Sequence, residues 1–166
     1  MNSITIDPAQ RTAAKVAGLA YLLTFAIVVY VNFGIHDRLI VSDNPVETAR
    51  RILAHEKLFR AGILGDLLYC IGIVILVTAL YVILRPVSRG LALMAAFSRL
   101  VWDLMWLNMT LHLFDALRLL SDKSYQQALG ARQSDSLAML YFGTRFDYYY
   151  ARLLFGSIAS TICGYL

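Results

Sequence analysis

The sequence predicts an all-α fold, a transmembrane helical bundle, and three observations lead there. Of the 166 residues, 59% are hydrophobic and 16% charged, and the mean hydropathy is positive, the composition of a membrane chain rather than a soluble one. Long apolar runs recur, and the first, 16–34, is uncharged and about long enough to cross a hydrocarbon core of roughly 30 Å. The stretch 98–122, SRLVWDLMWLNMTLHLFDALRLLSD, is an apolar helix carrying Arg99, Asp103, Asn108, His112 and Asp115. At about 100° per residue, Arg99, Asp103 and Thr110 share one face while Asn108, His112 and Asp115 share the opposite one. Both faces need protein or water beside them, which makes this the central helix of a bundle. The expected architecture is one membrane domain, residues 1–166, with four spans plus an interfacial amphipathic helix.

The first span is expected at about 16–34, VAGLAYLLTFAIVVYVNFG, and stays in the mature protein because no small-residue cleavage site follows it. Ala14 and Gly18 form a small-xxx-small pair suited to close helix contact. After a polar loop, Asn44, Pro45 and Glu47 stand at the N-cap, first and third positions of a helix start, a capping-box arrangement. The helix that follows, about 45–57, is amphipathic: Val46, Ala49, Ile52 and Leu53 gather on one side. It suits either a place in the headgroup plane or a cap over the bundle end.

The second span, about 58–84, has Asp66 as its one internal charge beyond Arg60, and Gly62, Gly65 and Gly72 share a face with Tyr69 where a neighbouring backbone can approach. The tight connection RPVSRG makes spans two and three antiparallel neighbours. Span three covers about 91–119. A polar linker, SDKSYQQALGARQSDS, precedes an apolar run in which TRFDYYYARL reads as an interfacial tyrosine belt. The fourth span, about 146–166, carries Arg145, Tyr149, Arg152, Gly156, Ser160 and Cys163 as a polar or small stripe to be turned toward span three.

The net charge of +4 is dispersed and mixed with acids, as in RRILAHEKLFR, so no nucleic-acid partner is expected. Cys70 and Cys163 lie in apolar runs without CxxC spacing and read as buried thiols. No Ser/His pairing, GxSxG or phosphate loop appears, so no catalytic residues are assigned. His112 and Asp115 lack further ligands for a metal, and His36 and His55 fall outside the expected spans, which argues against bis-His haem. His112 reads instead as an interhelical hydrogen bonder.

At a rise of about 1.5 Å per residue, Asp66 lies roughly 10 Å below the side carrying the amphipathic helix, and Asp103 reaches a similar level from the opposite side. Arg99 stands about one turn away, and Arg152 enters from the side of Asp66. Asp66, Arg99, Asp103 and Arg152 are therefore the candidate intramembrane cluster, either an ion-paired clasp or the lining of a polar path or cavity. Asn108, His112 and Asp115 form a secondary polar face.

The segments KVAGLAYLLTF, ETARRILAHEKLFRAGILGDLL and LYVILRPVSRGLALMAAFSRLVWD together resemble an uncharacterised bacterial membrane family, domain of unknown function 4386, over most of residues 13–120. The most specific parts are the LFR…GD start of span two and the turn into span three: Leu84, Pro86, Val87 and Arg89, then Leu91, Ala92 and Leu93, closing with Phe97, Ser98, Arg99 and Leu100. Members of that family look longer, so the resemblance sets the expectation of further apolar segments after Leu166. It implies a multi-pass protein of the bacterial inner (cytoplasmic) membrane and carries over no activity.

Two functions follow as expectations: an accessory or scaffold subunit packing in a larger membrane assembly, and a small binding or transport module for a proton, ion or lipophilic ligand. Membrane lipids and other membrane subunits, or further copies of the chain, are the expected partners. No cofactor is expected beyond a lipid or other lipophile. For orientation, the raw Lys and Arg count favours the side of the longer loops, while Arg11, Lys15, Arg85 and Arg89 crowd the spans on the other; the N-terminus is taken as cytoplasmic.

Overall fold

In a computed structural model, which describes residues 7–41 and 44–166, the chain is helical almost throughout. Helix α1 (Pro8–Val29) starts at an Asp7 cap whose side chain accepts from the Ala9 backbone N–H, with Pro8 at the first helical position. It runs without a break through a π-helical stretch, Tyr30–His36, into α2 (Asp37–Leu39). The first long helix is thus Pro8–Leu39, begun before Val16 and continued past Gly34. The helix outruns the expected span at both ends, and at the second the π turn carries the helical path on into polar sequence.

The short α3 (Pro45–Ala54) is capped as the sequence indicated, with the Asn44 side chain accepting from the Glu47 N–H at 3.1 Å. The Glu47 carboxylate does not reach back to the cap; it accepts from Arg50 and Arg51 at 2.7 Å. Those two guanidiniums hold its carboxyl down to about 2, well below the usual range. Ile52 is wholly buried among residues of the longer helices while Val46 is exposed, so α3 packs across the bundle end through a narrower face than its four apolar residues suggested.

Helix α4 (Glu56–Leu84) takes in Lys57, which the sequence placed on the amphipathic helix, and α5 (Arg89–Ser121) follows antiparallel beside it. The Ser88 side chain caps α5 by accepting from the Leu91 N–H. The expected polar linker is itself mostly helical. Asp122 caps α6 (Lys123–Leu129) through the Ser124 N–H and hydroxyl. Gly130, at φ 82°, supplies the left-handed turn that ends it. Helix α7 (Ala131–Tyr165) then runs unbroken, starting well before residue 146.

The helices pack in the order α1, α4, α5, α7. Three of them, Pro8–Leu39, Glu56–Leu84 and Arg89–Ser121, are long and apolar enough to cross a membrane among the described residues, which points to a membrane protein. Leu19, Leu22, Leu23 and Phe25 of α1 face outward, as lipid-facing positions do. Its inward stripe is Ala13, Ala17, Ala20 and Thr24, whereas Ala14 and Gly18 face out. The stripe is set by α4: a Cβ added to Gly72 would overlap Thr24, one added to Gly65 would overlap Val31, and Gly62 sits under Ile35 and His36. Gly72→Leu is therefore expected to lower stability by about 1–3 kcal/mol, the usual range for overpacking. Unfolding in mixed micelles, compared with Gly18→Leu as a neutral control, checks it.

Candidate functional site

Two apolar clusters divide the bundle. One, at the α3 end, gathers Ile35, Phe59, Ile63, Leu113 and Leu117; the other gathers Ala17, Tyr69, Ile73, Trp106 and Met109. The polar site lies where they meet.

Asp66 of α4 and His36 of the π-helical stretch are each 1% exposed, and the carboxylate Oδ2 stands 2.9 Å from the imidazole Nε2. The other oxygen, Oδ1, accepts from the Trp106 Nε1–H of α5 at 3.2 Å. Both oxygens of Asp66 are thus occupied by a histidine and a tryptophan, neither of them a partner the sequence had assigned. His36 was expected outside the spans; it lies inside the bundle, its ring edge-on to Phe59. Its Nδ1 is buried and finds no partner among the described residues. A π-helical turn often marks a functional position, because the extra residue re-aims the side chains that follow it.

Above the Asp66 contact, the Trp106 ring carries the Arg152 guanidinium of α7, 3.9 Å from its centroid. Trp102 and Tyr149 complete the enclosure at 4.8 and 4.6 Å. Arg152 is 4% exposed, and a delocalised cation between aromatic faces is the arrangement in which a buried guanidinium is best tolerated. Tyr69 packs on Trp106 at 4.9 Å between centroids.

This assembly floors a cleft of about 550 Å³ between α1 with its π-helical extension and α7. Asn32, Phe33, Met109 and Tyr150 are among its lining residues, with Phe33 and Tyr150 exposed at the rim. A cleft of this size and aromatic character, with Asn32, Asp37 and Arg152 among its polar lining, has the form of a small-molecule site.

The other expected residues fall around it. Asp103 is buried beside Cys70, and its Oδ1 meets no partner among the described residues. Arg99 also approaches Trp102, 5.8 Å from the ring centroid, and lines a second cavity with Ala95, Ala159 and Cys163. The structure thus brings Asp66 to the N–H edge and Arg152 to the face of one indole, and sets Asp103 and Arg99 apart from that contact. On the other polar face, His112 lies between the rings of Tyr141 and Tyr148, with its Nε2 at 3.2 Å from the Tyr148 hydroxyl and 3.4 Å from the Asn108 amide nitrogen. Asp115 is half-buried one turn further on, and Asn108 is exposed. On the α7 stripe, Arg152 and Gly156 are buried toward α5 while Tyr149 and Ser160 are exposed; the side chain of Arg145 lies outside the described residues. A Cβ on Gly156 would overlap the Trp102 ring, so Gly156→Leu should displace Trp102 from Arg152. The expected result is a shifted tryptophan emission with a destabilisation of about 1–3 kcal/mol.

The residues missed from sequence are His36, Trp102 and Trp106. Trp106 did carry a signal, since it lies on the face of Asp103 and Thr110 and a buried indole N–H needs an acceptor.

Comparison with curated proteins and with solved structures returned no match. One family model covers residues 16–166, nearly the whole chain including α7. The protein therefore belongs to the family described as a domain of unknown function (DUF4386).

Proposed function

We propose that this protein is a membrane-embedded binding module for an amphiphile with an apolar body and one anionic group, seated in the cleft between α1 and α7. The observation that carries this reading is the floor of that cleft, where Arg152 is held among Trp102, Trp106 and Tyr149. The rings offer the apolar body a surface, and the guanidinium offers the anionic group a positive charge. The accessory-subunit reading rests on small size and short loops; the cleft favours the binding reading over it. In this reading the C-terminal half of α7 lies in the bilayer as a fourth span beside the three apolar helices, and α3 rests at the interface. The location that suits it is a cytoplasmic membrane with the N-terminus inside.

A pyrene-tagged long-chain alkyl sulfonate is a suitable probe, because its head stays ionised and pyrene accepts energy from tryptophan. Added to the protein in zwitterionic nanodiscs, it should give saturable energy transfer, and the tagged alcohol of equal chain length should bind about tenfold less tightly or worse, equivalent to about 1.4 kcal/mol. Arg152→Gln should remove that preference. Transfer that rises linearly without saturation, or equally for sulfonate and alcohol, would overturn the reading.

A further inference from the structure

We infer that His36 and Asp66 form a proton-binding site inside the bundle, and that Trp106 transmits its protonation state to the cleft floor. This goes beyond the ligand reading and stands without it, because Trp106 lines the cleft whatever the cleft holds.

The pair has two states of nearly balanced penalty. With one proton removed, an Asp66 carboxylate accepts from the His36 Nε2–H and the Trp106 Nε1–H, a geometry that satisfies both oxygens at 2.9 and 3.2 Å. The only orphan is then the Nδ1 lone pair, but the pair carries a net negative charge at 1% exposure. With the proton added, the pair is neutral overall, either as imidazolium and carboxylate or as imidazole and carboxylic acid. In both forms Nδ1 becomes an N–H, and Nδ1 has no acceptor among the described residues. A buried charge weighs against the first state and an unsatisfied buried donor against the second. Two opposed penalties of this kind are what leave a proton equilibrium poised rather than fixed on one side.

The charges around the pair bear on that balance from each element packed against it. Arg152 of α7, across the Trp106 ring, favours the deprotonated state. Asp103 of α5, beyond Cys70 of α4, favours the protonated one. On the helix of His36, Asp37 and Arg38 are exposed and of opposite sign, and Arg51 of α3 donates to the Arg38 carbonyl at 3.1 Å and pairs with Glu47. Trp106 is the element that senses the change: its N–H donates strongly to a carboxylate and weakly to a carboxylic acid or to a carboxylate already paired with imidazolium. Its indole is therefore pulled toward or released from Asp66 while its face holds Arg152.

Nitrogen NMR of the whole protein in micelles, with labelled histidine and tryptophan, tests this directly, since the chain has 3 histidines and 2 tryptophans. Between about pH 5 and about pH 8, the window in which histidine normally titrates, the His36 ring nitrogens and the Trp106 indole N–H should shift through one shared midpoint. In His36→Gln the Trp106 step should vanish. Asp66→Asn, which keeps the shape of the site, should move the His36 midpoint and uncouple it from Trp106. Three results would each overturn the inference: a His36 that does not titrate, a Trp106 indole that stays fixed while His36 titrates, or a Trp106 step that survives in His36→Gln. If His36→Gln does not fold, the wild-type comparison and Asp66→Asn decide the question.

Discussion

Asp66→Ala should destabilise the bundle by about 3–5 kcal/mol, the range found when one partner of a buried pair is removed. The wild-type carboxylate accepts from Trp106 of α5 and is paired with His36 of the first long helix, so it ties together three helices at one point. Alanine leaves two buried nitrogens without a partner, each costing about 1–3 kcal/mol, and nothing of equal shape fills the gap. Asp66→Asn is the informative contrast. Its amide oxygen still accepts from Trp106, and its NH₂ can donate to His36 Nε2 once the imidazole carries its proton on Nδ1. That variant keeps both contacts but leaves an Nδ1–H with no acceptor among the described residues, so it should lose about 1–3 kcal/mol. Unfolding by SDS in mixed micelles, followed by tryptophan emission, measures both. Near-equal losses for the two variants would mean that the hydrogen bonds of Asp66 do not hold these helices together.

Much of this arrangement was legible in sequence because charge is so rare in the apolar runs. Asp66 stands out as the one internal charge of its run beyond Arg60, and Arg152 as a charge on the polar stripe of the last run. The antiparallel pairing of α4 and α5 follows from the short turn at Pro86. The glycine face of α4 is visible too, but the small-residue pair that the sequence offers on α1, Ala14 and Gly18, faces out, and Ala13, Ala17, Ala20 and Thr24 are the buried positions. A spacing pattern gives the period of a helix face but not which neighbour selects it.

What sequence did not disclose has a common cause, which is that local composition does not report helix continuation. His36 was lost because hydropathy falls after Gly34, whereas the π turn carries the chain on and swings His36 beneath Gly62. The linker 121–136 was lost in the same way, since its polar residues sit on helices fixed by the Asp122 cap and Gly130. The cleft itself arises from α1 and α7 standing on either side of α4 and α5, a property of the whole bundle with no local signature.

The affinity of the cleft for an anionic amphiphile should rise as pH falls through the titration of the His36–Asp66 pair. The sign follows from charge. In the unliganded protein the Arg152 cation lies one indole away from Asp66 and favours the deprotonated pair. An anion that engages Arg152 cancels that influence, so the liganded protein binds the proton more tightly than the free one does. By linkage the protonated protein then binds the anion more tightly, by the same factor. Couplings between sites in one fold are typically about 1–3 kcal/mol, or about 5–150-fold, and tenfold is the reasonable expectation here. The tagged sulfonate makes the measurement clean, because its own charge is constant between about pH 5 and about pH 8, where histidine titrates. Wild-type protein should show the pH-dependent affinity, and His36→Gln should show one affinity throughout. Sulfonate binding that strengthens with rising pH would reverse the sign and show that the pair and Arg152 are not coupled through Trp106. Binding equally tight at both ends, alongside a His36 that does titrate, would mean that the proton site and the cleft act independently.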